Sequence, residues 1–501
     1  MSIIKRQTIL GTIFSYVGVF VGILTQAILF TKYLETQEAG LFAMIFNWAM
    51  IFIFIANLGF NSAGTKFFDL FRDAKKSHNG YLFSGLLFLS IGSSLVFVIM
   101  FLFKDQILSS AVGGNVLFEK YYYYIFPVTI SIALFNIFDN YAKGLYDTVM
   151  GNFLSQFLQR FLIFLAVLFF ILGFYNFENL VILWTLALAL PTVFMFIHII
   201  RLGNFSLNYS DYLFKSKFLT EFFRFAGYSI VTGLSSIVIT KLDSLFVYEY
   251  LGLKNIAVYN FCLLFGSVMT ISYNVNLKAS TSIVLDAMAV NDLEKVRTIF
   301  LKSSLTQLVF GTILLAVVWI NIDDLLSFIK PEYSAGKYII LIIGIAKLYD
   351  LASGINSLIL VYSKYYKIDS FIVLTFIGFL FLLNHLLIPI YGLIGAGLAA
   401  LIATFYYNSI RNLLIYKLFK IHPYSIKIVW ILLTGLICTY IGIYLPRVSD
   451  GFIGSAVTIV YKSLVTGILY MVVIYKLKIS LDLNQIINQS FVFLKKVLKL
   501  S

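Results

Sequence analysis

The stretch that decides the fold is "FVYEYLGLKNIAVYNFCL", residues 246–263, because a similar stretch occurs 217 residues earlier. That earlier stretch is "LFTKYLETQEAGLFAMIF", residues 29–46, and the two align without a gap. The same shift places the apolar segment before one stretch onto the apolar segment before the other. The chain is therefore predicted to contain two similar halves in the same orientation.

The composition is that of a membrane protein. The chain has 501 residues, of which 60% are hydrophobic and 12% charged, and its mean hydropathy is +0.94. Soluble domains carry about 25% charged residues. The two cysteines, Cys262 and Cys438, lie in apolar runs, so we expect neither a disulfide nor a metal site from them.

Fourteen apolar runs are long enough to cross about 30 Å of hydrocarbon. The first follows a basic start and is too long for a signal peptide, so we expect an uncleaved first span. The runs lie near residues 10–30, 41–60, 82–103, 121–142, 153–174, 180–200, 225–248, 256–277, 299–320, 338–362, 371–390, 392–415, 426–446 and 453–475.

The distribution of basic residues predicts the orientation. With both termini in the cytoplasm, inside segments carry roughly four Lys or Arg residues for each one outside, as the positive-inside rule requires. The net charge of +14 therefore reflects topology, and nucleic-acid binding is excluded. We expect a multi-pass membrane protein with both termini in the cytoplasm.

The predicted fold class is an all-α polytopic membrane protein of about 14 transmembrane helices. A 217-residue repeat equals six spans, and parallel repeats of this kind build transporters. The predicted parts are an N-terminal lobe of helices 1–6 (residues 1–224) and a C-terminal lobe of helices 7–12 (residues 225–420). Helices 13–14 (residues 421–478) and an amphipathic cytoplasmic tail (residues 479–501) follow.

Several stretches resemble the Wzx-type polysaccharide flippases, whose superfamily also holds the lipid II flippases and the MATE exporters. The resemblance covers nearly the whole chain, through individually loose patterns. The stretches are "YLETQEAGLF" (33–42), "LGFNSAGTKFF" (58–68), "KLDSLFVYEYLGLKNIAVY" (241–259) and "PIYGLIGAGLAALIAT" (389–404).

The resemblance implies a protein of the bacterial cytoplasmic (inner) membrane, with two lobes around a central cavity. Such a protein would pass an undecaprenyl-pyrophosphate-linked oligosaccharide from the cytoplasmic to the outer leaflet, for O-antigen, capsule or exopolysaccharide synthesis. Its partners would be this lipid-linked oligosaccharide, membrane lipids, a glycan polymerase and glycosyltransferases. Spans 13 and 14 would lie outside the twelve-span core and form a groove for the lipid tail.

The sequence contains no nucleotide-binding motif of the form G-x-x-x-x-G-K-[ST] and no loop long enough for a catalytic domain. The four histidines are scattered without metal-ligand spacing. We therefore expect a transporter that is not an enzyme and has no cofactor. A coupling Na+ or H+ ion, the lipid itself or consumption of the product could supply the energy.

Charges within the spans are the candidate site residues, because a charge at membrane depth is costly and usually faces water or protein. Lys347 and Asp350 lie near the middle of span 10 at i,i+3 spacing, so they can neutralise one another. They either line the polar cavity or form a self-compensating packing pair.

Lys241 and Asp243 lie two residues apart in span 7, so their side chains project in nearly opposite directions. Lys241 can extend to the outer interface, whereas the shorter Asp243 cannot. Asp243 is therefore the better cavity candidate, with Lys347 or a coupling cation as its partner. Asn384 and His385 of span 11 are candidates to help bind such a cation.

Arg160 lies about 10 Å inside span 5. A guanidinium binds phosphate through two parallel hydrogen bonds, so Arg160 is a candidate for the substrate pyrophosphate; extension to the inner interface explains it equally well. The charges in the spans are mainly basic, which suits an anionic substrate. A lipid II flippase is a close alternative, and a MATE-type cation-coupled exporter, which would favour acidic residues, is a weaker one.

Overall fold

The computed structural model describes residues 3–73, 78–109, 116–203, 205–209, 216–449, 451–479, 484, 485 and 488; it leaves out the side chains of 3–10, 12, 216, 217, 231, 232, 235 and 236. The described residues form helices and loops and no strand. They fall into two compact units, Met1–Ala257 and Val258–Ser501.

The first unit begins with a helix that contains a π-helical turn. Its elements are α1 (Ile3–Ile23), π1 (Leu24–Leu29), α2 (Phe30–Tyr33), α3 (Thr36–Ala56), α4 (Phe60–Lys66), α5 (Phe68–Phe71), α6 (Tyr81–Leu102), α7 (Lys104–Leu108), α8 (Val116–Tyr121), α9 (Ile125–Gly144), α10 (Val149–Asn152), π2 (Phe153–Leu158), α11 (Gln159–Ile171), α12 (Phe177–Arg201) and the part of α13 (Ser216–Ala289) up to Ala257.

The second unit continues from the later part of α13. Its elements are α14 (Leu293–Ile320), α15 (Ile322–Leu326), α16 (Lys337–Ala352), α17 (Asn356–Val361), α18 (Tyr366–Tyr391), α19 (Leu393–Phe419), α20 (Ile426–Ile443) and α21 (Phe452–Lys476).

The repeat predicted from the sequence is present in the helix boundaries. Helix α13 is interrupted at Gly252, whose φ of 79° suits glycine because it has no Cβ. The residue 217 positions earlier, Glu35, also leaves the helical conformation and caps α3 through a capping box with Glu38. Likewise, α10 begins at Val149 and α18 at Tyr366, again 217 residues apart. The two halves therefore share one order of helices.

The helices agree with about fourteen spans. Twelve described helices are long and apolar enough to cross a membrane. The longest of these candidates, Ile237–Ala289, comprises two spans that meet at Gly252. The fourteenth is the pair α16–α17, which is interrupted after Ala352, so that neither helix alone is long enough to be counted. The predicted fold class is confirmed.

Spans 13 and 14 pack on the second unit. Helices α20 and α21 contact α14 in one hydrophobic cluster that includes Ile431, Cys438 and Leu308. The hydroxyl of Tyr470 in α21 donates a hydrogen bond of 3.2 Å to the carbonyl of Val309 in α14. Both helices are thus fixed to one unit by burial and by a polar contact.

The predicted domain boundaries after residues 224, 420 and 478 stay predictions. They follow the repeat, whereas the two compact units divide after Ala257 and count the first half of α13 with the first unit. The two groupings describe different things, because a repeat concerns sequence order and a compact unit concerns contacts. The amphipathic tail predicted for 479–501 lies almost wholly outside the described residues.

Candidate functional site

Lys347 and Asp350 form the pair that the sequence predicted. Their i,i+3 spacing on α16 brings Lys347 Nζ to 3.6 Å from Asp350 Oδ2, with the side chains 36% and 28% exposed. In the part of α13 that follows the interruption at Gly252, Gly266 faces the stem of Lys347. The pair is half-buried and offers a positive and a negative group side by side. Its role in a cavity stays a prediction.

A network of amides and hydroxyls surrounds Asp350 at the break between α16 and α17. The side-chain amide of Asn408 in α19 donates through Nδ2 to Asp350 Oδ1 at 3.0 Å. Its side-chain oxygen, Oδ1, accepts a hydrogen bond of 3.0 Å from Asn356 Nδ2. Asn356 is the first residue of α17. Backbone groups freed at membrane depth need partners. Ser304 of α14 supplies one, because its hydroxyl donates to the carbonyl of Ala352 at 2.6 Å.

The network continues toward the loop between α19 and α20. Asn412 donates to Ser353 Oγ at 3.1 Å and to the Tyr424 hydroxyl at 2.7 Å. Burial, and secondly the hydrogen bond with Tyr349, raise the pKa of Tyr424 above its usual range. Tyr424 therefore stays protonated at physiological pH. The hydroxyl and amide side chains hold the broken span in one geometry around Asp350.

A buried ion pair between α18 and α19 was not predicted from the sequence. Arg411 contacts Asp369 through two parallel hydrogen bonds of 2.7 and 2.8 Å, and the two side chains are only 7% and 6% exposed. The guanidinium also lies 4.1 Å from the ring centroid of Tyr407. Arg411 lies within α19.

A signal for this pair exists in the sequence. Asp369 lies 23 residues before Gly392 and Arg411 lies 19 residues after it. Because α18 and α19 form a hairpin about Gly392, residues at similar distances from the turn come together. The pair is neutral as a whole, so it leaves the excess of positive charge within the spans unchanged.

Lys241 faces span 2. Its amine lies 5.7 Å from the ring centroid of Phe46 in α3, which is a cation–π distance. It forms no ion pair with a carboxylate of the described residues. Asp243 is 9% exposed and therefore buried, as its short side chain led us to expect. The roles of Lys241 and Asp243 in a polar cavity stay predictions.

The proposed cation ligands lie in different units. Asp243 belongs to the first unit and Asn384 of α18 to the second. Asn384 is buried and its amide donates to the carbonyl of Leu380 at 3.0 Å, whereas His385 is exposed. Within the described residues, no three His, Cys, Asp or Glu side chains are grouped so as to hold a metal ion. A coupling site at Asp243 and Asn384 stays a prediction.

Arg160 follows the π-helical turn π2 in span 5. Its Nη2 atom donates to Gln156 Oε1 at 3.3 Å, four residues earlier in the chain. A Cβ at Gly22 of α1 would lie 3.2 Å from Arg160 Cδ, so the stem of the arginine lies across this glycine. Among the described residues, no carboxylate pairs with the half-buried Arg160. Its charge remains available to an anion.

About fourteen apolar helices in two repeated halves, with charged and amide side chains inside them, define the class of membrane transporters and flippases. A family model described as "Polysaccharide biosynthesis protein" matches residues 6–284, which is more than half of the chain. The chain belongs to this family. The resemblance noted in the sequence is thus confirmed.

Solved structures share the fold. The chain is similar to the lipid II flippase MurJ in an inward closed conformation, with 17% identity, a TM-score of 0.72, and 94% of this chain and 99% of that chain covered. It is also similar to an inward-facing MATE multidrug transporter of the MOP superfamily, with 14% identity, a TM-score of 0.63, and 82% and 99% covered.

A MATE transporter in an outward-facing conformation has the same fold at 13% identity, with a TM-score of 0.53 and coverage of 83% and 96%. No curated protein sequence matches the chain significantly. At these identities the likeness establishes the fold, and the family establishes a role in polysaccharide biosynthesis.

Proposed function

We propose that this protein is a flippase that moves an undecaprenyl-pyrophosphate-linked oligosaccharide from the cytoplasmic to the outer leaflet of the bacterial inner membrane. The observation that carries the proposal is the family match over residues 6–284. A membrane protein of polysaccharide biosynthesis without a catalytic loop fits the step at which the lipid-linked glycan crosses the membrane. O-antigen, capsule and exopolysaccharide are the candidate products.

The charges within the spans support an anionic, polar substrate. Arg160 has no carboxylate partner among the described residues, and Lys241 lies over the aromatic ring of Phe46. The side chain of Lys347 is partly exposed. A pyrophosphate needs such positive groups to compensate the loss of water along its path. Arg160 would bind the pyrophosphate, while Lys241, Asp243, Lys347 and Asp350 would line the remaining polar path.

Alternating access is the proposed mechanism. Two parallel repeats that rock against each other expose one site to each side of the membrane in turn. Solved relatives by fold are described as inward-facing, inward closed and outward-facing, so this fold accommodates such states. A Na+ or H+ gradient is the proposed energy source, since the sequence has no nucleotide-binding motif, and Asp243 and Asn384 are each a candidate ligand for the coupling ion.

Lipid II transport is the second candidate, favoured by the similarity to the lipid II flippase over 94% of this chain. It predicts that loss of the gene stops cell-wall growth, whereas the first candidate predicts loss of a surface polysaccharide. A MATE-type exporter is disfavoured, because an exporter of organic cations needs an excess of acidic side chains within the spans.

Deletion of the gene tests the proposal. We expect undecaprenyl-pyrophosphate-linked oligosaccharide to accumulate on the cytoplasmic leaflet, measured by leaflet-selective labelling and mass spectrometry of the lipid-linked glycans. The wild-type gene on a plasmid should restore the normal distribution. If no such intermediate accumulates while the surface polysaccharide is still produced, the flippase proposal is wrong. Genes for glycosyltransferases and a glycan polymerase beside it would support the proposed partners.

A further inference from the structure

Three polar residues of span 5, four residues apart, contact α1, Asn152 and Arg160 through their side chains and Gln156 through its backbone. These residues, Asn152, Gln156 and Arg160, are called the polar row below. A Cβ at Gly11 of α1 would lie 3.2 Å from Asn152 Nδ2, and a Cβ at Gly18 would overlap the backbone carbonyl oxygen of Gln156. The contact between Gly22 and Arg160 completes the series. The row therefore follows a line of glycines in α1.

The π-helical turn explains why the row is straight. An α-helix advances about 100° per residue, so eight residues from Asn152 to Arg160 would turn about 80° away from one face. π2 (Phe153–Leu158) lies between them, and its i→i+5 hydrogen bonds make a wider turn that advances less per residue. The side chains of Asn152 and Arg160 and the backbone carbonyl of Gln156 thus all stay against α1.

Among the described residues, the Arg160 guanidinium donates a hydrogen bond to Gln156: Arg160 Nη2 lies 3.3 Å from Gln156 Oε1. An amide accepts this bond without neutralising the charge, in contrast to the carboxylate that holds Arg411. The stem of Arg160 is restrained at the same time by Gly22. The guanidinium is thereby oriented, keeps its full charge, and retains N–H groups for an anion.

We propose that Gln156 is a positioning residue that aims the Arg160 guanidinium at the pyrophosphate of the lipid-linked substrate. The proposal rests on the proposed function, since it assigns the anion to that substrate. Gln156 acts through Arg160: it fixes one edge of the guanidinium, and the other edge is left for two parallel hydrogen bonds to phosphate oxygens.

The test uses the full chain in lipid nanodiscs with inorganic pyrophosphate as the probe, and measures affinity by calorimetry. Gln156→Glu places a carboxylate beside Arg160 and should weaken binding about tenfold or more, since hydrogen bonds to charged groups are the strong ones. Gln159→Glu is the matched control: it adds the same charge to the adjoining turn, at a residue with no hydrogen bond to Arg160 among the described contacts, and should bind as the wild type does.

A double-mutant cycle separates positioning from general damage. The Arg160→Lys variant should itself weaken binding of pyrophosphate. In that background Gln156→Ala should have no further effect, because lysine lacks the guanidinium that Gln156 orients. The melting temperatures without pyrophosphate should be alike for Gln156→Glu and Gln159→Glu. Equal weakening by these two variants, or full additivity in the cycle, would overturn the assignment of Gln156.

The result is distinguishable from failure of the proposed function. If the wild type binds pyrophosphate and the Gln156 variants bind it equally well, the inference fails while the flippase proposal stands. If the wild type does not bind pyrophosphate at all, the role of Arg160 fails as well. The deletion experiment judges transport independently of either outcome.

Discussion

At the scale of single residues, the partners of the charges distinguish structural from functional roles. Arg411 is buried and donates two parallel hydrogen bonds to Asp369, so its charge is compensated within the protein. Lys347 and Asp350 are half-exposed and only 3.6 Å apart, which leaves both groups accessible. The first pair is suited to stability, whereas a role of the second pair in transport stays a prediction.

Breaking the buried pair should destabilise the protein. We expect Asp369→Asn to lower the free energy of unfolding by about 3–5 kcal/mol, because it leaves the guanidinium of Arg411 buried without a counter-charge. Thermal unfolding of the purified protein in detergent measures the change. Lys337→Met is the control, since it removes an exposed partner of Asp323 and should cost less than about 1 kcal/mol. Similar losses for both variants would contradict this contrast.

Removing the half-exposed pair should abolish transport. We expect the double variant Lys347→Leu, Asp350→Asn to reach the membrane in normal amounts and to leave the lipid-linked glycan on the cytoplasmic leaflet. Both charges are removed together, so no uncompensated charge remains to disturb folding. Transport by this variant at the wild-type rate, measured in the leaflet assay, would assign the pair to packing.

At the scale of secondary-structure elements, close contact between α1 and π2 depends on glycine. A Cβ at Gly18 would overlap the backbone carbonyl of Gln156, and backbone cannot move aside as a flexible side chain can. Small residues allow such approach between membrane helices, where packing drives association. The two elements can therefore touch only while this position carries no side chain.

Gly18→Ala should separate α1 from π2 and lower the melting temperature by several degrees, which corresponds to about 1–3 kcal/mol for an overpacked contact. Gly378→Ala in α18 is the matched control, because no atom lies within 4 Å of a Cβ at that position. It should leave stability unchanged or raise it by up to about 1 kcal/mol through helix propensity. A melting temperature for Gly18→Ala equal to that of the control would show that α1 can move away freely.

At the scale of the whole molecule, an even number of spans places both termini on the same side of the membrane. The excess of Lys and Arg on alternate loops predicts that this side is the cytoplasm. A reporter that is active only outside the cytoplasm should be inactive when fused to either terminus. The control fusion in the loop between α20 and α21, residues 444–451, should be active. An active fusion at one terminus alone would show that the span count is wrong by one.

The class of membrane protein, about fourteen spans and the repeat could be predicted from the sequence. Apolar length is a local property that adds up residue by residue, and the repeat is carried by the order of residues. The pair Lys347–Asp350 was also predictable, because i,i+3 spacing on one helix brings two side chains together. The break in span 10 after Ala352 was missed, since its support comes from Ser304 and from amides of α19.

The sequence by itself determined what kind of protein this is, and the tertiary structure decided which side chains meet. Asp369 and Arg411 lie 42 residues apart and pair through the α18–α19 hairpin. Lys241 lies over Phe46, and Gln156 reaches Arg160 beside the glycines of α1. The physical reason is that such contacts depend on helix rotation and depth. One residue of shift turns a side chain by about 100° and moves it by about 1.5 Å, while the hydropathy of the span stays nearly the same.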